Sequence, residues 1–270
     1  MPQSLPLRLR PMPAISDKTN SHLKFKRSCV TAMVLAFAAL PTLAGPQVLS
    51  PIVDAKEIGL EFKLSRTADH DVDRNAVRSL ATEFSLSVTP WWATELELQW
   101  QSEPQGPVRY NATSWENRFQ LTPQGQYWLD AGVFVEYEKA HDAEERNTFT
   151  FGALLQKELG GANLTTLNLL LTRELGQGGA PGLLADIRLQ SRWRLSPTFE
   201  PGFEVYWEPG RWGHFEPFEA QRLRAGPVLV GMWRPAPLSK LKYEVGYLFG
   251  LNAGSERGTL RAMLEYETRY

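Results

Sequence analysis

From residue 56 onward, polar and apolar side chains alternate one for one in stretches of about ten residues. In Leu80–Val88 one face is Leu80, Thr82, Phe84, Leu86 and Val88, and the other is Ala81, Glu83, Ser85 and Ser87. Trp92, Thr94, Leu96, Leu98 and Trp100 alternate with Ala93, Glu95, Glu97 and Gln99. Leu260, Ala262, Leu264, Tyr266, Thr268 and Tyr270 do so against Arg261, Met263, Glu265, Glu267 and Arg269. A helix returns to the same face only every ~3.6 residues, so a sustained period of two specifies strands with one dry and one wet face.

Twelve such segments are expected, near 56–66, 78–89, 91–101, 114–122, 127–138, 147–158, 164–175, 184–195, 199–208, 222–234, 240–250 and 258–270. Their length suits a tilted strand crossing a bilayer. No stretch after the N-terminal region reaches the ~18 apolar residues of a spanning helix. A mean hydropathy of −0.32 excludes a helical membrane protein. It does not exclude a membrane barrel, whose strands each keep a polar half. The connections alternate between short (Thr89–Trp91, Pro123–Gln126, Gly160–Asn163, Ser196–Thr198, Pro235–Ser239) and long (67–77, 102–113, 139–146, 176–183, 209–221, 251–257). The short ones carry Gly, Pro, Asn or Ser turn chemistry. Tight turns at one end and longer loops at the other predict an all-β fold, a transmembrane up-and-down antiparallel β-barrel of about twelve strands. A soluble periplasmic sandwich also alternates, but its loop lengths need not take turns in this way.

The apolar face carries one charge by this reading, Lys157, placed beside a short turn where it can snorkel. Aromatic residues of that face gather toward strand ends. Trp92, Tyr127, Trp193, Trp233 and Tyr270 fall at the short-turn end, and Trp100, Trp115, Tyr137, Phe149, Trp207 and Phe249 toward the long-loop end. Two bands of amphipathic rings predict two interfacial girdles.

The N-terminus reads as a targeting segment. Lys24, Lys26 and Arg27 precede an apolar run, Cys29–Leu40, and Pro41 with Thr42-Leu43-Ala44 supplies a helix break and small residues. This order predicts an export signal peptide over 1–44, with 1–23 read as an extension from a misassigned start codon. Residues 45–55 are expected to form a periplasmic linker, and 56–270 the barrel. Processing removes six basic residues, one acidic residue and Cys29, the only cysteine. The remaining chain has 23 basic and 29 acidic side chains, a net charge of −6. It has no disulfide framework and no basic excess for nucleic acid.

The last segment, Leu264-Glu265-Tyr266-Glu267-Thr268-Arg269-Tyr270, ends on an aromatic with apolar residues at alternate positions before it. It resembles the terminal signal of Gram-negative outer-membrane β-barrels, with Thr268 where an apolar residue is usual. The resemblance covers about 56–270 and implies an outer-membrane location, contact with the barrel-assembly machinery through the last strand, and lipid and lipopolysaccharide as surroundings. On architecture rather than on a motif, the chain also loosely resembles channels linked to meta-pathway phenol degradation.

With apolar residues facing lipid, the other face lines a lumen. Segment 184–195 contributes Asp186, Arg188, Gln190, Arg192 and Arg194, and 222–234 contributes Arg222, Arg224 and Arg234. Roughly opposite stand Glu83, Glu95 and Glu97, with Asp130, Glu136 and Glu138 on the fifth segment. Two arrangements fit: opposed charged walls around a narrow pore that passes small solutes, or charges paired across a closed interior. In the loop 209–221, Trp212, Phe215 and Phe218 are expected to form a constriction, a capture site, or contacts with neighbouring loops. Gly176–Gly182 lacks the Lys-Ser/Thr of a phosphate loop. The three histidines left after processing, His70, His141 and His214, lie in loops, and no strand position places a base beside Ser191. No enzyme, cofactor or metal is therefore expected; Asp69, Asp71 and Asp73 read as a solvated loop.

Overall fold

The computed structural model describes residues 47–104, 106–142, 145–176 and 181–270. The expected signal peptide, 1–44, lies outside the described residues. Thirteen strands follow in chain order: β1 Glu57–Ala68, β2 Arg78–Thr89, β3 Trp92–Ser102, β4 Val108–Gln120, β5 Asp130–Ala140, β6 Asn147–Leu159, β7 Asn163–Leu175, β8 Leu184–Trp193, β9 Glu200–Arg211, β10 His214–Phe215, β11 Arg222–Ala236, β12 Ser239–Gly250 and β13 Gly258–Arg269. All pair antiparallel with sequence neighbours, except that β9 pairs with β11 past the short β10. β13 closes on β1 from Glu57↔Arg269 to Ala68↔Gly258. The result is a closed up-and-down barrel of twelve strands with β10 appended to the tip of β9. Closure removes the unpaired edge that an open sheet would present to lipid.

The burial pattern inverts that of a soluble protein. Phe84, Leu96, Phe203 and Leu260 are exposed on the outer surface, whereas Glu95, Glu97, Glu204 and Arg261 are buried inside. An apolar belt around a charged interior is stable only where the outside is hydrocarbon. The architecture is that of an outer-membrane barrel.

Ten of the twelve segments match the strands to within a few residues. β4 starts earlier than expected, at Val108, because a bulge opposite Gln99 and Trp100 lets Val108–Tyr110 continue the ladder. β5 starts later, at Asp130. The Asp130 carboxylate accepts the Gly125 N–H at 2.7 Å, and Thr122 Oγ1 accepts the Ala131 N–H at 2.8 Å. These bonds close a wide turn, so Tyr127 stands in that turn and not on a lipid-facing strand. Neighbouring Trp128 lies 4.3 Å from Lys157 Nζ, whose ammonium also donates to the Trp128 carbonyl, so Lys157 does reach out of the apolar belt. It is not the only outward charge. Arg66, Lys139 and Arg173 share the outer face at the long-loop end, where Arg66 pairs with Leu260 and Arg173 with Phe149.

The segment expected to be a periplasmic linker instead enters the barrel. Asn168, midway along β7, donates from Nδ2 to the Leu49 carbonyl and accepts the Leu49 N–H, at 2.8 and 2.7 Å. Gln120 accepts the Val53 N–H at 2.8 Å, and Arg188 donates to the Gln47 carbonyl at 2.9 Å. Leu49 packs on Phe134, Leu154 and Leu170. Pro51 is fully buried against Gly132, where a Cβ would sit 3.0 Å from the proline ring. Lys56 turns the chain from this strap into β1 in a left-handed conformation, φ 58°. The strap's backbone groups thus find side-chain partners in a lumen that offers no sheet edge.

At the long-loop end, Asp69 accepts the Asp71 N–H at 2.9 Å and the Arg257 N–H at 3.2 Å, joining loop 69–77 to loop 251–257. These backbone amides, the Asp71 N–H foremost, hold its carboxyl below the ordinary value of 3.8. A depressed folded value means the tie is intact above the unfolded pKa and is lost as pH falls through the folded one. Hydrogen exchange at the Arg257 amide should therefore be slow at neutral pH and accelerate in acid beyond the intrinsic trend, while Asp69→Asn shows no such step. An acid-insensitive Arg257 amide in the native protein would count against this.

Candidate functional site

The lumen is built from the inward half of every barrel strand, and its charges fall into two unlike sectors. On the β8–β13 side, cations and carboxylates pair closely. Arg261, 3% exposed at its side chain, reaches Glu204 with Nη2 at 2.5 Å and Nε at 2.9 Å, and also bonds Glu244. Gln190 donates to both carboxylates, at 2.8 and 2.9 Å. Arg224 and Arg261 each lie 5.9 Å from the buried ring of Tyr206. Arg222 and Arg224 share Glu208, at 3.0 and 2.5 Å.

The expected basic wall is therefore largely neutralised in place. Arg188 binds Asp186 at 2.6 Å and Arg192 binds Glu200 at 3.2 Å. Arg194 lies just past the end of β8, pairs with Glu158, and lines the lumen at its short-turn end. Arg222 also bonds Glu256 of an external loop and stands at the opposite mouth. A transverse field between free arginines and free carboxylates is not what these residues build.

The β1–β5 sector has the opposite character. Glu61, Glu83 and Glu97 lie side by side on β1, β2 and β3, and Glu95, Glu116 and Glu136 on β3, β4 and β5. Lys63 draws in Glu83 at 2.5 Å, Glu97 at 2.7 Å and Glu61 at 3.2 Å. Arg118 binds Glu95. These six carboxylates, joined by Glu138 on β5, face Lys63 and Arg118 here. The expected Glu83, Glu95, Glu97 and Glu136 do stand on this wall; Asp130 is taken up by its turn. Lys63, Arg118, Glu116 and Tyr206 belong to the lumen but were absent from the residues expected there. Their signal was available, since each holds an inward position of its alternating segment.

The strap divides the interior. A cavity of about 420 Å³ lies toward the short turns, lined by Glu61, Glu95, Arg118, Arg192 and Lys242. A second, of about 700 Å³, lies toward the long loops, lined by Lys63, Glu97, Glu116, Glu138 and Arg188. Gln47 and Leu49 line both.

The loop aromatics do not enter either cavity. Phe215 packs 6.0 Å from the ring of Trp207, on the lipid-facing side of β9, and Trp212 packs 6.2 Å from Phe215. Phe218 is exposed. The expected constriction is absent among the described residues; the hairpin of β9 and β10 extends the outer girdle instead. Of the girdle residues, Trp92, Trp100, Trp115, Tyr137, Trp193, Trp207 and Trp233 keep outward positions in register; Tyr270 lies one residue past β13, and its hydroxyl donates to the Ser87 carbonyl at 3.1 Å. Two direct their indole N–H to polar groups in the belt: Trp92 to Asn117 at 3.0 Å, and Trp115 to Thr94 at 2.9 Å.

No protein-family model matches the chain, and no curated protein sequence matches it. Solved structures do. The COG4313 outer membrane channel from Pseudomonas putida F1 superposes with a TM-score of 0.55 at 13% identity, over 84% of this chain and 100% of that one. The NanC porin gives 0.53 at 8% identity, over 78% and 100%. The KdgM porin gives 0.51 at 9% identity, over 78% and 99%. At these identities the likeness is one of fold: this chain has the barrel architecture of outer-membrane porins and channels.

Proposed function

We propose that the protein is a narrow passive channel for small polar solutes across the outer membrane. The observation that carries this reading is the pair of polar cavities inside the barrel, with the strap's Gln47 and Leu49 lining both. Barrels of about eight strands fill their interiors with side chains, whereas this twelve-strand barrel keeps two open polar volumes. The architecture of the solved porins and channels is consistent with it. The unpaired excess lies on the acidic wall, so the permeating species favoured are neutral or cationic. The outer girdle and the outward cations at the long-loop rim suit contact with lipopolysaccharide, and β13 is the strand that would engage the assembly machinery.

Purified protein in planar bilayers should show discrete, small conductance steps, with a reversal potential displaced toward the cation. Glu97→Gln with Glu136→Gln should reduce that cation preference by roughly half or more. A correctly folded barrel that stays electrically silent would support the other reading, a closed binding or structural barrel, and reject this one.

A further inference from the structure

The acidic sector holds a feature that the channel reading does not require. Glu83, Glu95 and Glu116, on three adjacent strands, each place a carboxylate oxygen within 4.8 Å of the other two, and all three side chains are buried. Lys63 takes Glu83 through Oε2, and Arg118 takes Glu95 through Oε1, leaving the second oxygen of each uncommitted to a cation. The Glu116 carboxylate is the independent sign. Its side chain is buried beside the cavity toward the long loops, no hydrogen bond or ion pair to a described residue reaches its carboxylate, and Lys63 attracts it only from a distance. Its cross-strand neighbours, Glu95 and Glu136, are both acidic. A carboxylate in that position is either protonated or held by a cation.

We infer that Glu83, Glu95 and Glu116 bind one divalent cation of the calcium type within the lumen. The donors are all hard oxygens, which favours Ca²⁺ or Mg²⁺ over softer metals. Oxygens up to 4.8 Å apart suit a Ca–O bond of about 2.4 Å on either side of the ion. The shorter Mg–O bonds of about 2.1 Å require a tighter and more regular cage. Water supplies the remaining positions, since the group lies between the two lumen cavities: Glu95 lines the lower, Glu116 the upper and Glu83 the lower. Bound there, the ion ties β2, β3 and β4 together beside Arg118, whose guanidinium also donates to the Ser50 carbonyl of the strap at 3.4 Å. It also lowers the negative charge of the wall that a permeating cation meets.

The test uses the full barrel in detergent, stripped with a chelator and titrated with CaCl₂ at pH 7.5 by calorimetry, with thermal unfolding followed in parallel. One saturable Ca²⁺ site is expected, with binding at least about tenfold weaker in Glu116→Gln. The metal-free Glu116→Gln barrel should melt at or above the metal-free parent, because the substitution removes a lone buried charge and keeps the shape. It should also gain little from added Ca²⁺, whereas the parent gains several degrees. Glu145→Gln, in an external loop, should bind as the parent does. Absence of saturable binding in the parent, as when protons alone neutralise the site, would overturn the proposal. So would equal affinity in parent and Glu116→Gln. Channel conductance is not a readout here, so failure of the metal site and failure of the channel reading remain separate results.

Discussion

Removing residues 47–53 should raise the single-channel conductance roughly three- to tenfold, the largest functional change expected from any small alteration of this chain. The reason is geometric. The strap lines both lumen cavities and has no part in the strand ladder, so its loss joins the two volumes while leaving all twelve seams paired. What is lost locally is one apolar contact set, Leu49 on Phe134, Leu154 and Leu170, and the hydrogen bonds of Asn168, Gln120 and Arg188 to the strap backbone. Those side chains then meet water, which satisfies them. A milder version, Leu49→Ser, should loosen the strap without deleting it and give noisier, flickering openings. Planar-bilayer recording of the three proteins side by side decides the matter. Equal conductance in all three would mean that ions pass elsewhere, or that another element sets the narrowest point.

The largest stability effect is expected from Arg261→Met. Arg261 is the shared cation for Glu204 and Glu244, and all three are buried. Removing it leaves two neighbouring carboxylates facing one another with only Gln190 between them, a loss of about 3–5 kcal/mol. Urea unfolding of the barrel reconstituted in lipid, followed by tryptophan fluorescence, measures it. Changing Glu204 and Glu244 to Gln in the same protein should recover most of the loss, since neutral amides make the remaining hydrogen bonds without an uncompensated charge. A loss below about 1 kcal/mol for Arg261→Met would show that water reaches this cluster and that the ion pairs there behave as surface pairs.

Much of the molecule was legible in the sequence because its governing pattern is local. A strand with one lipid face and one wet face must alternate, so Leu80–Val88 or Trp92–Trp100 declares its register without reference to any partner. The short turns declare themselves through Gly and Pro for the same reason. Errors arise at local irregularities: Asp130 capping Gly125 delays β5, and the extra residue on β4 opposite Gln99 and Trp100 lets β4 start early. Period and propensity do not show which residue spends its polar group on such a local bond.

The strap was missed for a different reason. Residues 47–54 show no period, because their backbone bonds go to side chains of distant strands. The lumen face nevertheless recorded their presence. Phe134, Leu154 and Leu170 occupy inward positions on three successive strands, where the alternation calls for polar groups. An apolar patch on the wet side of a barrel has to be covered by something, and Leu49 is what covers it. The pairing of charges was the least legible feature. Alternation places Arg224 and Glu208 on the same wall, but the choice between a partner next door and one across the bore depends on distances that the pattern does not carry. The same limit hid Glu116, whose environment is set by four strands at once.

The barrel encloses a length of its own backbone, and this constrains the order of assembly. β1 and β13 come from opposite ends of the described chain, so their seam is complete only when every other hairpin exists. The strap runs directly into β1 through the left-handed turn at Lys56, whose carbonyl accepts the Tyr270 N–H at 3.1 Å. Threading a finished cylinder from below would mean desolvating its polar backbone in a passage already shut. The economical route is for the open, curved sheet to gather the strap against Asn168 first and then zip around it, so that the final seam acts as a clasp.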